Sequence, residues 1–248
     1  VLDADRSSWP DVAAHLERVP VVVLPFGALE QHGPQLPLGT DTATAAEVAR
    51  RIAERLDAVL LPPVHYGDTW NTAGYPGTVS LRPGTVTAIA EDIGRAAAAS
   101  GARLLVVVNG DWGNRNPLAA AMRTLESDGV LRALTLDYPG MDDAIAAVRE
   151  SRPAAPGLNH AEEVETSIML AIAPEDVHQD RYEAAYPTFP SDFGTRPMQL
   201  HPFSPSGVFG DPATASAEKG ERILAATVEA SLAVLADALP GPRAPHAS

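Results

Sequence analysis

The chain has 248 residues, 45% of them hydrophobic, and carries a formal net charge of -14 with no cysteine. That size supports a large core in a single α/β domain, read as residues 1–240 with a disordered tail at 241–248. The acidic balance disfavours nucleic acid and anionic membrane as partners, since phosphate binding needs a basic face. The lack of cysteine excludes disulfides, thiolate nucleophiles and Cys-rich zinc sites, so any metal must be held by His and carboxylates. No stretch is long and apolar enough for a membrane span, and the first residues lack the pattern of a signal peptide. These features describe a soluble, cytoplasmic protein acting on a small molecule, neutral or cationic.

In chain order, a short helix is expected around Trp9–Arg18, followed by an all-apolar strand at Val21–Leu24, the pattern of a parallel strand covered on both faces. Helical spacing of Ala45, Val48, Ala49, Ile52 and Leu56 predicts a helix over Thr42–Leu56, and Ala58–Val64 reads as the next strand. The long loop His65–Thr78 carries Trp70 and Tyr75, and a loop of that length in a compact domain is usually functional. A helix at Thr85–Ser100 and the strand Arg103–Val108 follow, then a helix at Pro117–Leu125, a strand at Leu131–Leu136 and a helix at Met141–Arg149. A Pro-rich linker leads to a helix in NHAEEVETSIMLAIAP, stopped by Pro174; residues 175–210 lose periodicity and read as a covering segment, and Ala217–Ala238 is the last helix. The alternation predicts a mainly parallel sheet between two helix layers, a three-layer α/β/α sandwich, with ligands gathered beyond the C-terminal ends of the strands.

Chemistry concentrates where strands end. The stretch LPFGALEQHGPQLPLGTDT after the first long strand places Glu30 and His32 in a Gly- and Pro-bounded loop that offers neither a helix partner nor an apolar stripe. Clustered His and carboxylate groups of this kind suit a metal. Asp41 is open to two readings, a helix cap or a third ligand at a helix start. On the helix wheel Glu165 falls among Ile168, Met169 and Ile172 on the apolar face, Glu162 lies at its edge and Glu163 points to solvent. A carboxylate in such a stripe needs a cation, either a metal or an Arg. Asp111 in NGDWGN is a fourth carboxylate or the head of an Asx turn, in a loop whose Gly and Asn residues tolerate left-handed backbone and close approach. Trp112 reads as a pocket wall or a core aromatic. His160 precedes a helix, whose dipole would depress its pKa toward the neutral ring of a proton shuttle; a plain cap or surface position is the alternative.

The stretches GALEQHGPQLPLGTD, Pro76-Gly77-Thr78, NGDWGN, HAEEVETS and GVFGDPATASAEKG, in this order, resemble the creatininase (creatinine amidohydrolase) family. The resemblance implies a three-layer α/β/α fold, a homo-oligomer of hexameric type, and metal-dependent hydrolysis of amide C–N bonds, often cyclic or formyl amides. It implies one or two divalent ions (Zn, Mn or Fe), with Asp41 bridging, Glu30 on one ion, His32 and Glu165 on the other, and His160 as the catalytic histidine. Trp70, Tyr75 and Trp112 would line the substrate pocket. The chain departs from the family motif NGHGGN, whose His is a ligand, by offering Asp111 and Trp112, and it has Asn71-Thr72 where many relatives carry a His. With Asp111 the ligand set becomes four carboxylates and one imidazole, which favours Mn²⁺, Fe²⁺ or Mg²⁺ relative to Zn²⁺. Two rivals follow from the same departure: a binding protein that kept the fold and lost catalysis, or a biosynthetic enzyme using the same centre for another reaction.

Overall fold

The computed structural model describes residues 1–240, so the expected tail at 241–248 lies outside the described residues. Five parallel strands form one sheet in the order β1-β3-β2-β4-β5: β1 Leu2–Asp3, β2 Val21–Phe26, β3 Val59–Leu60, β4 Leu104–Asn109 and β5 Arg132–Leu136. The helices are α1 Trp9–Arg18, α2 Thr40–Leu56, α3 Pro83–Ala99, α4 Arg115–Ser127, α5 Met141–Val148, α6 Glu163–Ile172 and α7 Ala217–Ala236. Among the described residues no helix is long and apolar enough to cross a membrane.

The sheet is covered on both faces, and its strands alternate between two cores. Val21, Val23, Leu104, Val106 and Val108 pack with α2, α5, α6 and α7, whereas Val22, Leu24, Phe26, Leu105 and Val107 pack with α1, α3 and α4. This is the period of two expected of strands, and it is why β2 and β4 are apolar at nearly every position.

Two expectations are corrected here. Ala58–Val64 is not a full strand: only Val59–Leu60 pairs regularly, with one further bridge from Phe26 to Val64. Residues 175–210 are more than a cover, because Leu200, Val208 and Phe209 are buried, and Phe189, Phe193 and Phe203 form an aromatic cluster that reaches Phe209.

From β2 the chain moves outward to β3, whereas from β4 it moves the other way to β5, so the crevice between β2 and β4 is the topological switch point of the sheet. The register Phe26↔Asn109 ends the two strands level with each other. Loop 27–39 and the NGDWGN loop therefore emerge side by side.

Helix α2 starts directly above these ends, and glycine makes that approach possible. A Cβ at Gly27 would overlap Cα and Oγ1 of Thr42, and one at Gly110 would overlap the carbonyl oxygen of Asp41. Gly110 and Gly113 are absent from the residues with positive φ, so close approach, not left-handed backbone, is what glycine supplies in NGDWGN. Gly27→Ala is expected to cost about 1–3 kcal/mol, since the obstructing atom is helix backbone, and to displace Asp41 with the end of α2. Denaturant unfolding checks the first effect and metal content the second.

Candidate metal centre

Beyond the ends of β2 and β4 the structure brings together six of the residues singled out in the sequence. Donor atoms of Glu30, Asp41 and Asp111 lie within 4.8 Å of one another, as do those of His32, Asp41 and Glu165, so Asp41 belongs to both groups. A third grouping joins Glu30, His32 and His160. Glu30, His32, Asp41, Asp111 and His160 are all buried, and Glu165 is about one-fifth exposed, with a side-chain value of 21%.

Each side chain is held by what surrounds it. His32 Nδ1–H donates to the backbone oxygen of Glu30 at 3.1 Å, which orients the ring and turns Nε2 to Asp41 Oδ1 at 3.1 Å and Glu165 Oε2 at 3.6 Å. Asp41 sits inside the first turn of α2, and the N-cap residue is Gly39, without a side-chain cap. The capping reading of Asp41 therefore fails. Glu30 Oε2 accepts from the Thr72 hydroxyl at 2.5 Å. Asp111 makes the Asx turn of one reading, its Oδ1 accepting from the Gly113 amide at 3.2 Å, while its buried Oδ2 has no partner.

The wheel prediction for α6 needs correcting. Glu163 is not solvated: it is 1% exposed, its carboxylate accepts from Lys219 Nζ at 2.7 Å and from the amides of Glu150 and Ser151, and its pKa is lowered to about 2. Burial pushes that pKa up, but the Lys219 and Ser151 bonds outweigh it. Glu162, also buried, pairs with Arg149 at 3.1 Å. The available cations thus go to Glu162 and Glu163, while Glu165 receives the Ala161 amide at 2.5 Å and faces His32. Ala161 takes a left-handed φ of 53° to make that bond, and its carbonyl accepts from Gln35.

Crowded carboxylates leave their mark on protonation. Burial, then the Asp41 charge, raises Glu30 to about 8. Burial, then the charges of Glu30 and Asp41, holds Asp111 well above the usual carboxylate range. Burial also raises Asp41. Burial opposes the charged form of His32, yet the carboxylates of Asp41 and Glu165 outweigh it and keep the imidazole well above its ordinary value. His160 is lowered to about 4, by burial first and the His32 charge second; the direction expected from the helix terminus is present, but the cause is burial. His160 Nε2 accepts from Gln31 Nε2 at 2.7 Å, and Nδ1 lies 3.7 Å from Glu30 Oε1.

A cation fits these residues on structural grounds. His32 Nε2, Asp41 Oδ2 and Asp111 Oδ2 are buried without hydrogen-bond partners, and Asp41 shares one ligand group with His32 and another with Asp111. Such an arrangement is stable only with protons or a cation between the acceptors.

Next to the cluster is a cavity of about 150 Å³ whose walls include Asp41, Asp111, Trp112, Tyr138 and Glu165. Trp112, two-thirds exposed, stands on its wall, whereas Trp70 and Tyr75 do not line it: Trp70 is half-exposed, and the Tyr75 hydroxyl donates to the carbonyl of Ser204. Sequence reading missed Gln31, Thr72 and Tyr138. Gln31 and Thr72 lie beside residues already noted, but their contacts cross 129 and 42 positions of the chain and have no local signature. Tyr138 combines a polar aromatic with a Pro-Gly turn at a strand end, which was the available signal.

A parallel three-layer α/β/α sheet with a buried carboxylate and imidazole cluster at its switch point defines an α/β enzyme. The family model for creatinine amidohydrolase matches residues 5–235, and the chain belongs to this creatininase family. It is an amidohydrolase of that family. It is 38% identical over 218 residues to the mycofactocin precursor peptide peptidase of Mycolicibacterium smegmatis, covering 85% of this chain and 82% of that one. It is 34% identical to the creatinine amidohydrolase of Pseudomonas putida, covering 84% and 86%. A crystal structure of creatinine amidohydrolase superimposes with a TM-score of 0.85 at 29% identity, covering 97% of this chain and 98% of that one. Further creatininase structures are designated Mn and Zn-Zn type, with TM-scores of 0.80 and 0.78.

Proposed function

We propose that this protein hydrolyses an amide C–N bond, in a cyclic amide, a formamide or a small peptide-like molecule, with one or two divalent ions held by Glu30, His32, Asp41, Asp111 and Glu165. The observation that carries the reading is the pair of three-residue groups sharing Asp41, with unpartnered donor atoms, beside a cavity of fragment size. Glu30 and Asp111 would hold one ion, His32 and Glu165 the other, and Asp41 both. A bound Mn, Zn or Fe ion supplies Lewis-acid polarisation of the carbonyl and a more acidic attacking water.

The chain's own residues do the rest. His160, neutral because its pKa is near 4, has a lone pair at Nε2 that can take up a proton and pass it to the leaving nitrogen once Gln31 releases that atom. Trp112 offers an aromatic face to a substrate at the cavity wall. The relatives support the bond class: one is named for peptide cleavage and another for creatinine, a cyclic amide.

The test is metal analysis of the purified protein with amide hydrolysis measured before and after chelation. Both bound metal and activity should vanish on chelation and return with Mn²⁺, Fe²⁺ or Zn²⁺. Binding should strengthen as pH rises toward about 8, because Glu30 at about 8 and the raised Asp111 and His32 must give up protons to the incoming ion. A protein that binds no divalent ion at micromolar levels would be a binder that has lost catalysis.

A further inference from the structure

Three buried polar atoms in the cavity wall have no hydrogen-bond partner among the described residues: Asp41 Oδ2, Asp111 Oδ2 and Tyr138 Oη. The first two are acceptors and belong to the candidate metal centre. The third carries a proton. Of the other donors in the wall, the Thr40 hydroxyl bonds the carbonyl of Pro37, the Asn109 amide bonds Asp111 and Asp137, and Arg115 lies 3.7 Å from Asp137, while Trp112 is two-thirds exposed.

Tyr138 is also one of three non-glycine residues with positive φ among the described residues, at 49°. A bulky side chain in that region is strained, and such strain persists only where the surroundings impose it. Here the turn Tyr138–Met141, closed by the Met141 amide on the Tyr138 carbonyl at 3.1 Å, carries the chain from β5 into α5. The ring packs against the core on the α5 and α7 side, and the residue lines the cavity with its hydroxyl buried beneath the surface. Its surroundings hold the phenol in its protonated form: burial, then the negative charges of Asp41 and Glu165, raise its pKa well above the ordinary value.

We propose that Tyr138 is a catalytic residue that donates a hydrogen bond to the oxygen of the scissile amide, and more strongly to the oxyanion formed when that carbonyl is attacked. This rests on the amide-hydrolase reading above. A substrate oxygen entering a cavity walled by Asp41, Asp111 and Glu165 meets acceptors, and the phenol is a buried neutral donor in the same wall with no hydrogen-bond partner. No proton leaves the phenol in this role. His160, which does not line the cavity, keeps the proton-transfer role near Glu30.

The test is Tyr138→Phe in the full, metal-loaded chain, on an amide that the wild type hydrolyses. We expect kcat to fall by about 10²-fold with KM little changed, the loss associated with one oxyanion donor. A phosphonamidate that mimics the tetrahedral state should bind more weakly to the variant by calorimetry, whereas the carboxylate product should bind as to wild type. Metal content should be unchanged, and the melting temperature should not fall, because the substitution removes an unsatisfied buried hydroxyl. Unchanged kcat and phosphonamidate affinity would overturn the proposal, as would a matching loss of bound metal, which would make the phenol a positioning residue for a ligand. Failure of the underlying reading is distinct, since the wild type itself would then neither bind metal nor hydrolyse amides.

Discussion

Asp41→Ala is expected to abolish binding of both divalent ions and to lower kcat/KM by at least about 10³-fold, because it removes the one carboxylate common to both ligand groups. Its folding should suffer little. The side chain makes no capping bond, its favourable position in the first turn of α2 is worth only about 0.3–1 kcal/mol, and its removal relieves repulsion with Glu30 and Asp111. Thermal unfolding with and without added metal separates these effects: the wild type should melt higher with metal, and the variant should melt near the apo wild type in both conditions. Glu163→Gln is the contrasting control. That carboxylate is equally buried but belongs to a structural network with Lys219 and the amides of Glu150 and Ser151, so the variant should lose about 1–3 kcal/mol of stability and keep its metal. Retained metal in Asp41→Ala would remove the shared-ligand assignment.

The difference between Glu163 and Glu165 also marks how far the sequence can be read. Continuous apolar runs located β2 and β4 because both faces of each strand are buried, and the helical spacing of Ala45 to Leu56 located α2, so the α/β/α class was legible. The early end of β3 was also written in the sequence and was overlooked: Pro62 and Pro63 have no backbone N–H to donate to a ladder. In the site, Glu30, His32 and Asp111 were visible as polar residues following apolar strands. The wheel placed Glu165 beside Ile168, and both do line the cavity, but a wheel shows only direction. It does not show that Lys219, from a helix more than 40 residues later, turns the face carrying Glu163 into an interior. Partners from distant segments, such as Gln31 for His160 and Thr72 for Glu30, are inaccessible to local pattern for the same reason.

Asp111→Asn is the change that separates this chain's own chemistry from the family pattern. An Asn at this position can still accept from the Gly113 amide through Oδ1, so the Asx turn, the start of the following helix and the stability should be preserved. What it loses is the negative charge and the unpartnered second oxygen that faces Glu30 and Asp41. An ion on the Glu30, Asp41 and Asp111 side should therefore bind at least about 10²-fold more weakly, with activity falling in step, while an ion on the His32 and Glu165 side should stay. Metal titration by calorimetry should change from two binding events to one. Asp111→His supplies the imidazole that the family motif carries at this place and should move preference toward Zn²⁺, because it trades a hard oxygen ligand for nitrogen and removes one charge from a set of four carboxylates. If Asp111→Asn kept full stoichiometry and rate, Asp111 would be a turn residue alone. The first ion would then rest on Glu30 and Asp41.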